Sequence, residues 1–95
     1  MTTIKVKILS AFSIPKNFTG TVIYVAGFWS GSNGSYEIEW FREYLVNGVL
    51  HREDGPARIY NDEWKSEQYW LNGELQRIVR NGSTWWENGK RIYQP

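Results

Sequence analysis

The chain has 95 residues, no cysteine, one histidine and a formal net charge of +1. That length makes one domain with a compact core and argues against a large enclosed active-site cavity. The missing cysteine excludes disulfides, thiol catalysis and cysteine-based metal sites, the single histidine excludes a histidine-rich metal site, and a charge near zero supplies no strong field toward nucleic acid or an acidic membrane.

In chain order, Ile4, Val6 and Ile8 alternate with Lys5 and Lys7, the period-two pattern of a half-buried strand. No apolar run reaches the length of a membrane-spanning helix, and Pro15 and Lys16 interrupt the segment after Ile8 before a signal-peptide core develops. The expectation is a soluble, cytoplasmic protein. Residues 10–17 read as a connection, and the β-branched and aromatic run Thr21-Val22-Ile23-Tyr24-Val25 as a second strand. Phe18 to Tyr24 can be laid beside Asp54 to Tyr60, sharing the Gly and the Ile-Tyr ending, as a worn first repeat. Residues 27–35 are small and polar around Phe28 and Trp29 and read as a loop. Its two rings either make a contact site or fold back onto the sheet.

Two readings stand for 36–46. Ile38, Phe41 and Leu45 fit helical spacing, with Ser35 as a cap. Asn47-Gly48, between two apolar runs, instead signals a two-residue hairpin, because both central residues of a type I′ turn need positive φ. The strand reading is preferred. It sets Glu43 opposite Arg52 and Arg42 opposite Glu53, pairs worth about 0.2–1 kcal/mol each.

Beyond His51-Arg52-Glu53, the run Asp54-Gly55-Pro56 is a second break in the chain. Gln68-Tyr69-Trp70-Leu71 then leads into Asn72-Gly73, as Tyr44-Leu45-Val46 leads into Asn47-Gly48. Asn81-Gly82 and Asn88-Gly89 follow, with strands between. Four Asn-Gly turns make an all-β antiparallel meander. The organisation is one domain, with N-terminal strands and a loop over 1–35 and a hairpin sheet over 36–95. If the last two turns hold two residues each, Ile78, Trp85 and Ile92 form one row and Arg77, Trp86 and Arg91 another on the opposite face. Trp85 then faces the core and Trp86 is open, and one bulge would invert that.

Asn47-Gly48, two residues, then His51-Arg52-Glu53-Asp54-Gly55-Pro56-Ala57 resembles the hairpin repeat Trp/Tyr-x-x-Asn-Gly … His-Arg-x-Asp-Gly-Pro-Ala of phage, giant-virus and bacterial proteins, itself similar to MORN repeats. The full motif occurs once, and degenerate copies extend the likeness over about 40–93. The resemblance implies a MORN-like meander, a protein-contact role and no catalytic residues. Asn47, Gly48, His51, Asp54, Gly55 and Pro56 would be structure-forming positions. The second copy departs from the pattern: Glu74-Leu75-Gln76-Arg77 follows Asn72-Gly73, with no His and no Asp-Gly-Pro.

His51 with Glu53 and Asp54 is the one His–carboxylate cluster, and strand alternation separates Asp54 from the other two. No phosphate loop, metal-ligand spacing or nucleophile motif is present, and no cofactor is expected. Six Trp, six Tyr and four Phe exceed the needs of a small core. Trp, Tyr and Arg are enriched at binding hot spots, so Trp86, Arg77, Arg91, Trp70, Trp64, Phe28 and Trp29 are the candidate contact residues. The expectation is a non-enzymatic, phage-encoded inhibitor of the anti-CRISPR kind that occludes a host defence protein. Nucleic-acid or nucleotide binding by aromatic stacking, and a self-assembling virion module or homodimer, are the alternatives.

Overall fold

The computed structural model describes residues 2–7, 14–29 and 35–91, with only the backbone of 7, 28, 29, 35–37 and 91. Nine strands run through them: β1 (Thr3–Lys7), β2 (Gly20–Trp29), β3 (Ser35–Val46), β4 (Val49–Leu50), β5 (Arg58–Tyr60), β6 (Glu67–Leu71), β7 (Glu74–Arg80), β8 (Ser83–Glu87) and β9 (Lys90–Arg91). They form one sheet in the order β1-β2-β3-β5-β6-β7-β8-β9, with β4 paired to β3 beside β5. β1 and β2 are parallel, and every other pairing is antiparallel. The all-β meander is therefore present, and 36–46 is strand, not helix. Among the described residues no helix is long and apolar enough to cross a membrane.

All four Asn-Gly pairs form the turns that their sequence asks for. Asn47, Asn72, Asn81 and Asn88 have φ of 49°, 50°, 50° and 50°, and the glycines after them 82°, 79°, 81° and 85°. Both central residues are left-handed, which matches the twist of the flanking strands. Asn tolerates this region better than other side chains, and glycine has no Cβ to oppose it.

One row of register partners crosses the whole sheet: Ile4, Val22, Glu43, Arg58, Gln68, Ile78, Trp86 and Arg91. Three bulges bend the sheet around it. The extra residues are Trp40 in β3, Gln76 in β7 and Trp85 in β8. Each bulge resets which residues share a face downstream. The one in β3 brings Glu39 and Arg42 to the same side, where they form a two-bond ion pair at 2.6 and 2.7 Å.

The hairpin at Asn47-Gly48 is shorter than expected. Only Leu45–Leu50 and Val46–Val49 pair across it, and from Tyr60 to Arg58 β5 replaces β4 beside β3. Glu43 consequently faces Arg58 rather than Arg52, and Arg42 faces Ile59 rather than Glu53. The corner diverts the chain: Arg52 donates to Asp54 Oδ1 at 3.2 Å and to the Pro56 carbonyl at 3.1 Å, folding the polar run on itself.

The core is small. Among the described residues the buried apolar side chains are Val6, Val22, Val25 and Ala57, of which Val22 is fully enclosed. Burying one such valine contributes about 1.5–3 kcal/mol. On the Val22 face Tyr24, Phe41 and Tyr60 stack as a row, with centroids 4.2 and 5.4 Å apart. The described part of the connection from β1 to β2, residues 14–19, begins over the same face. Ile14, Pro15 and Lys16 line a pocket there together with Leu45, Arg58 and Trp70. The connection also meets the first turn: Gly48 N–H donates to the Phe18 carbonyl at 2.9 Å, and a Cβ at Gly48 would run into the Lys16 carbonyl.

Candidate functional site

The sheet carries a charged network at its centre. Glu43 is buried, at 8 % exposure. Its carboxylate accepts from Tyr24 Oη at 3.0 Å and from both Nε and Nη2 of Arg58. Arg58 also reaches Gln68 Oε1 at 3.4 Å, and Trp70 Nε1–H donates to the same oxygen at 3.0 Å. β2, β3, β5 and β6 are thus tied across one face. A buried carboxylate costs several kcal/mol unless it is paired and hydrogen-bonded, and this one is. Burial, then the field and hydrogen bond of Glu43, push the Tyr24 hydroxyl up to about 12. Trp70, expected at a contact surface, instead holds Gln68 in this network, with the Arg58 guanidinium 5.9 Å from its ring.

A second pattern repeats every 25 residues. The Arg52 guanidinium lies 4.1 Å over the Tyr44 ring, and that of Arg77 lies 4.2 Å over Tyr69. Each turn also docks on the unit before it. Asn47 N–H donates to Thr19 Oγ1 at 3.0 Å and Gly48 N–H to the Phe18 carbonyl at 2.9 Å. In the next unit Asn72 N–H donates to His51 Nδ1 and Gly73 N–H to the Leu50 carbonyl, both at 2.9 Å. The pairs Phe18-Thr19 and Leu50-His51 therefore play the same part. This shows what His51 does: its Nδ1 accepts from a backbone amide, while Nε2 lies 3.6 Å from Glu53, whose side chain is 83 % exposed. The cluster forms a corner and not a strand, so alternation does not separate Asp54: His51, Glu53 and Asp54 line one open pocket with Tyr44 and Arg52, and Asp54 there pairs with Arg52. Among the described residues no group of three His, Cys, Asp or Glu is placed to hold a metal ion.

The two predicted rows at the C-terminal hairpins are rearranged by the bulge at Trp85. Ile78 pairs with Trp86, not Trp85, and Arg77 pairs with Glu87, not Trp86. Arg77 lies on the opposite face from Trp86, between Tyr69 and Glu87, 4.0 Å from the Glu87 carboxylate. Trp86 keeps Arg91 as its register partner, and Ile92 lies outside the described residues. Trp85 does not alternate away from Trp86. The Arg80 guanidinium sits 5.1 Å over the Trp85 ring, and Ile78, Arg80, Trp85, Trp86 and Gly89 line one shallow pocket. Both indoles are half-buried on the same face.

Trp64 lies in the turn before β6 and is 51 % exposed. An Asp62 carboxylate accepts from its N–H at 3.0 Å, and its carbonyl accepts from Asn81 N–H at 2.8 Å. That second bond ties the Trp64 backbone to Asn81 in the β7–β8 turn. Phe28 and Trp29, expected in a loop over 27–35, are the last two residues of β2, paired with Tyr36 and Ser35, and 30–34 lie outside the described residues. Sequence reasoning passed over Trp40 as a contact residue. It is the extra residue of a bulge and is also 51 % exposed. No pattern in one strand announces a bulge, so only its aromatic character could have marked it.

No protein-family model matches the chain, and no curated protein and no solved structure matches it.

Proposed function

We propose that this chain is a non-enzymatic protein-binding module that acts by covering a functional surface of its partner. One observation carries the reading. The bulge at Trp85 sets two consecutive indoles and Arg80 on one face, and a backbone hydrogen bond from Asn81 anchors the turn that carries a third, half-exposed indole, Trp64. Rigid Trp and Arg side chains at the surface are the residues that dominate binding energy at protein interfaces. Backbone bonds hold this patch in place, so little ordering entropy is lost when it docks. The resemblance of 47–57 to a hairpin repeat of phage proteins supports a phage-encoded inhibitor, with a host defence protein as its target.

The test is capture from host lysate with tagged protein, before and after nuclease treatment, with Trp64→Ala and Trp86→Ala beside the native chain. The expected result is one host protein that survives nuclease and is lost with either variant, while thermal melting of Trp64→Ala stays unchanged. Partners that vanish with nuclease, or capture that both variants leave intact, would refute the reading.

A further inference from the structure

We infer that Asn81 and Asn88 are sites of spontaneous deamidation, and that Asn47 and Asn72 are protected from it by the fold. In an Asn-Gly pair the glycine nitrogen attacks the asparagine Cγ. A C–N bond forms to the ring nitrogen, the bond to the side-chain amide breaks, and ammonia leaves with the proton released by the glycine nitrogen. Solvent water then opens the succinimide at either carbonyl, giving aspartate or isoaspartate. Glycine favours the step because it has no side chain to obstruct the approach.

All four turns are exposed, so access to water does not separate them. The attacking nitrogen does. Gly48 N–H is held by the Phe18 carbonyl and Gly73 N–H by the Leu50 carbonyl, each at 2.9 Å. The asparagine N–H next to each is held as well, by Thr19 Oγ1 and His51 Nδ1. Gly48 is further packed against the backbone of Lys16. Gly82 and Gly89 differ at the glycine itself. Their N–H groups donate to no acceptor among the described residues, and beyond the adjoining residues no described atom lies within 4 Å of a Cβ placed on either. Only the asparagine N–H is held in these turns, Asn81 by Trp64 and Asn88 by Gln76. Cyclisation requires the turn to leave its type I′ geometry, because the nitrogen must swing toward Cγ. Opening the first two turns breaks two docking bonds, and opening the last two breaks one.

The modification has consequences where it falls. A carboxylate at 88 adds to that of Glu87, and an isoaspartate at 81 inserts a methylene into the backbone that anchors Trp64. The C-terminal sheet would therefore change charge and register with the age of the molecule.

The experiment is peptide mapping by mass spectrometry after incubation of the folded chain at mildly alkaline pH, with a parallel sample in denaturant. Conversion at 81 and 88 is expected to outpace that at 47 and 72 by about five-fold or more, the factor that one additional net hydrogen bond provides. The difference should collapse in denaturant, since glycine follows all four asparagines. Equal rates in the folded chain, or the same ranking in denaturant, would overturn the inference. His51→Ala removes one of the two locks on its turn, and Asn72 should then convert faster while Asn47 does not.

Discussion

Two units of this sheet begin alike and end differently. Tyr44-Leu45-Val46-Asn47-Gly48 and Tyr69-Trp70-Leu71-Asn72-Gly73 both enter a left-handed Asn-Gly turn, and each covers its tyrosine with an arginine eight residues on. After the first turn only two residues pair before the chain folds into the His51–Pro56 corner. After the second, β7 runs for seven residues with a bulge at Gln76. The turn is therefore not what sets hairpin length. The corner sequence does: Asp54, Gly55 and Pro56 give Arg52 two acceptors on its own segment, and proline ends the supply of ladder donors. The vacated flank of β3 is filled by Arg58, which brings a guanidinium to Glu43 and makes the central network possible.

The largest effect that separates the units comes from their glycines. Gly48→Ala must push the Lys16 backbone aside as well as hold alanine at positive φ, so a loss on the order of 3–4 kcal/mol is expected in chemical denaturation. Gly73→Ala meets only the Val49 side chain at 3.5 Å and should lose about 1–2 kcal/mol, the cost of left-handed backbone alone. Similar losses at both positions would show that the β1–β2 connection does not press on the first turn.

Next in size is the network that the corner creates. Glu43→Ala leaves the Arg58 guanidinium half-buried without its carboxylate and should destabilise the fold by about 3 kcal/mol. The equivalent position of the second unit is Gln68, already neutral, so Gln68→Ala should cost no more than about 1–2 kcal/mol.

Smaller still is the docking bond of the second turn. His51→Ala removes the acceptor of an exposed amide that water can partly serve, so about 0.5–1 kcal/mol is expected, with slowed exchange of the Asn72 amide abolished. Thr19→Val should do the same to Asn47 if the two docking sites are equivalent.

The last effect appears only in alkali. Tyr24 holds its proton up to about 12 in the folded chain, against 10.0 for a free tyrosine. Its contribution to stability is complete below pH 10 and is lost as pH climbs from 10 toward 12, because the unfolded chain releases the proton first. Spectrophotometric titration of tyrosinate should show one late step that Tyr24→Phe removes. Glu39 behaves with the opposite sign. The Arg42 hydrogen bonds hold its carboxyl below the ordinary range, so its contribution is present above that range and fades as pH falls through the lowered value.

Much of this molecule is legible from short-range chemistry. Asn-Gly between two strands specifies a type I′ turn, and all four pairs obey, with apolar or charged flanks alike. Alternation at Ile4 and Val6, and the β-branched run at Thr21 to Val25, identify strands for the same local reason. Face assignments are different. Trp85 and Trp86 should alternate in a regular hairpin, and they share a face because β8 carries one residue more than β7 at that point. Whether a strand bulges depends on how it packs against its partner and the rest of the sheet, which the alternation within the strand does not record. The same holds for Trp40.

The sequence by itself determined the class of the fold, the sites of its tight turns and the abundance of aromatic and arginine side chains available for contact. These depend on backbone preference and on composition. Tertiary structure alone decided which groups meet: that Glu43 finds Arg58, that Trp70 serves the network, that His51 serves the next turn, and that the Trp64 carbonyl meets Asn81. Each of those partnerships spans strands, and strand register is set jointly by turns, bulges and corners along the whole sheet rather than by any one segment.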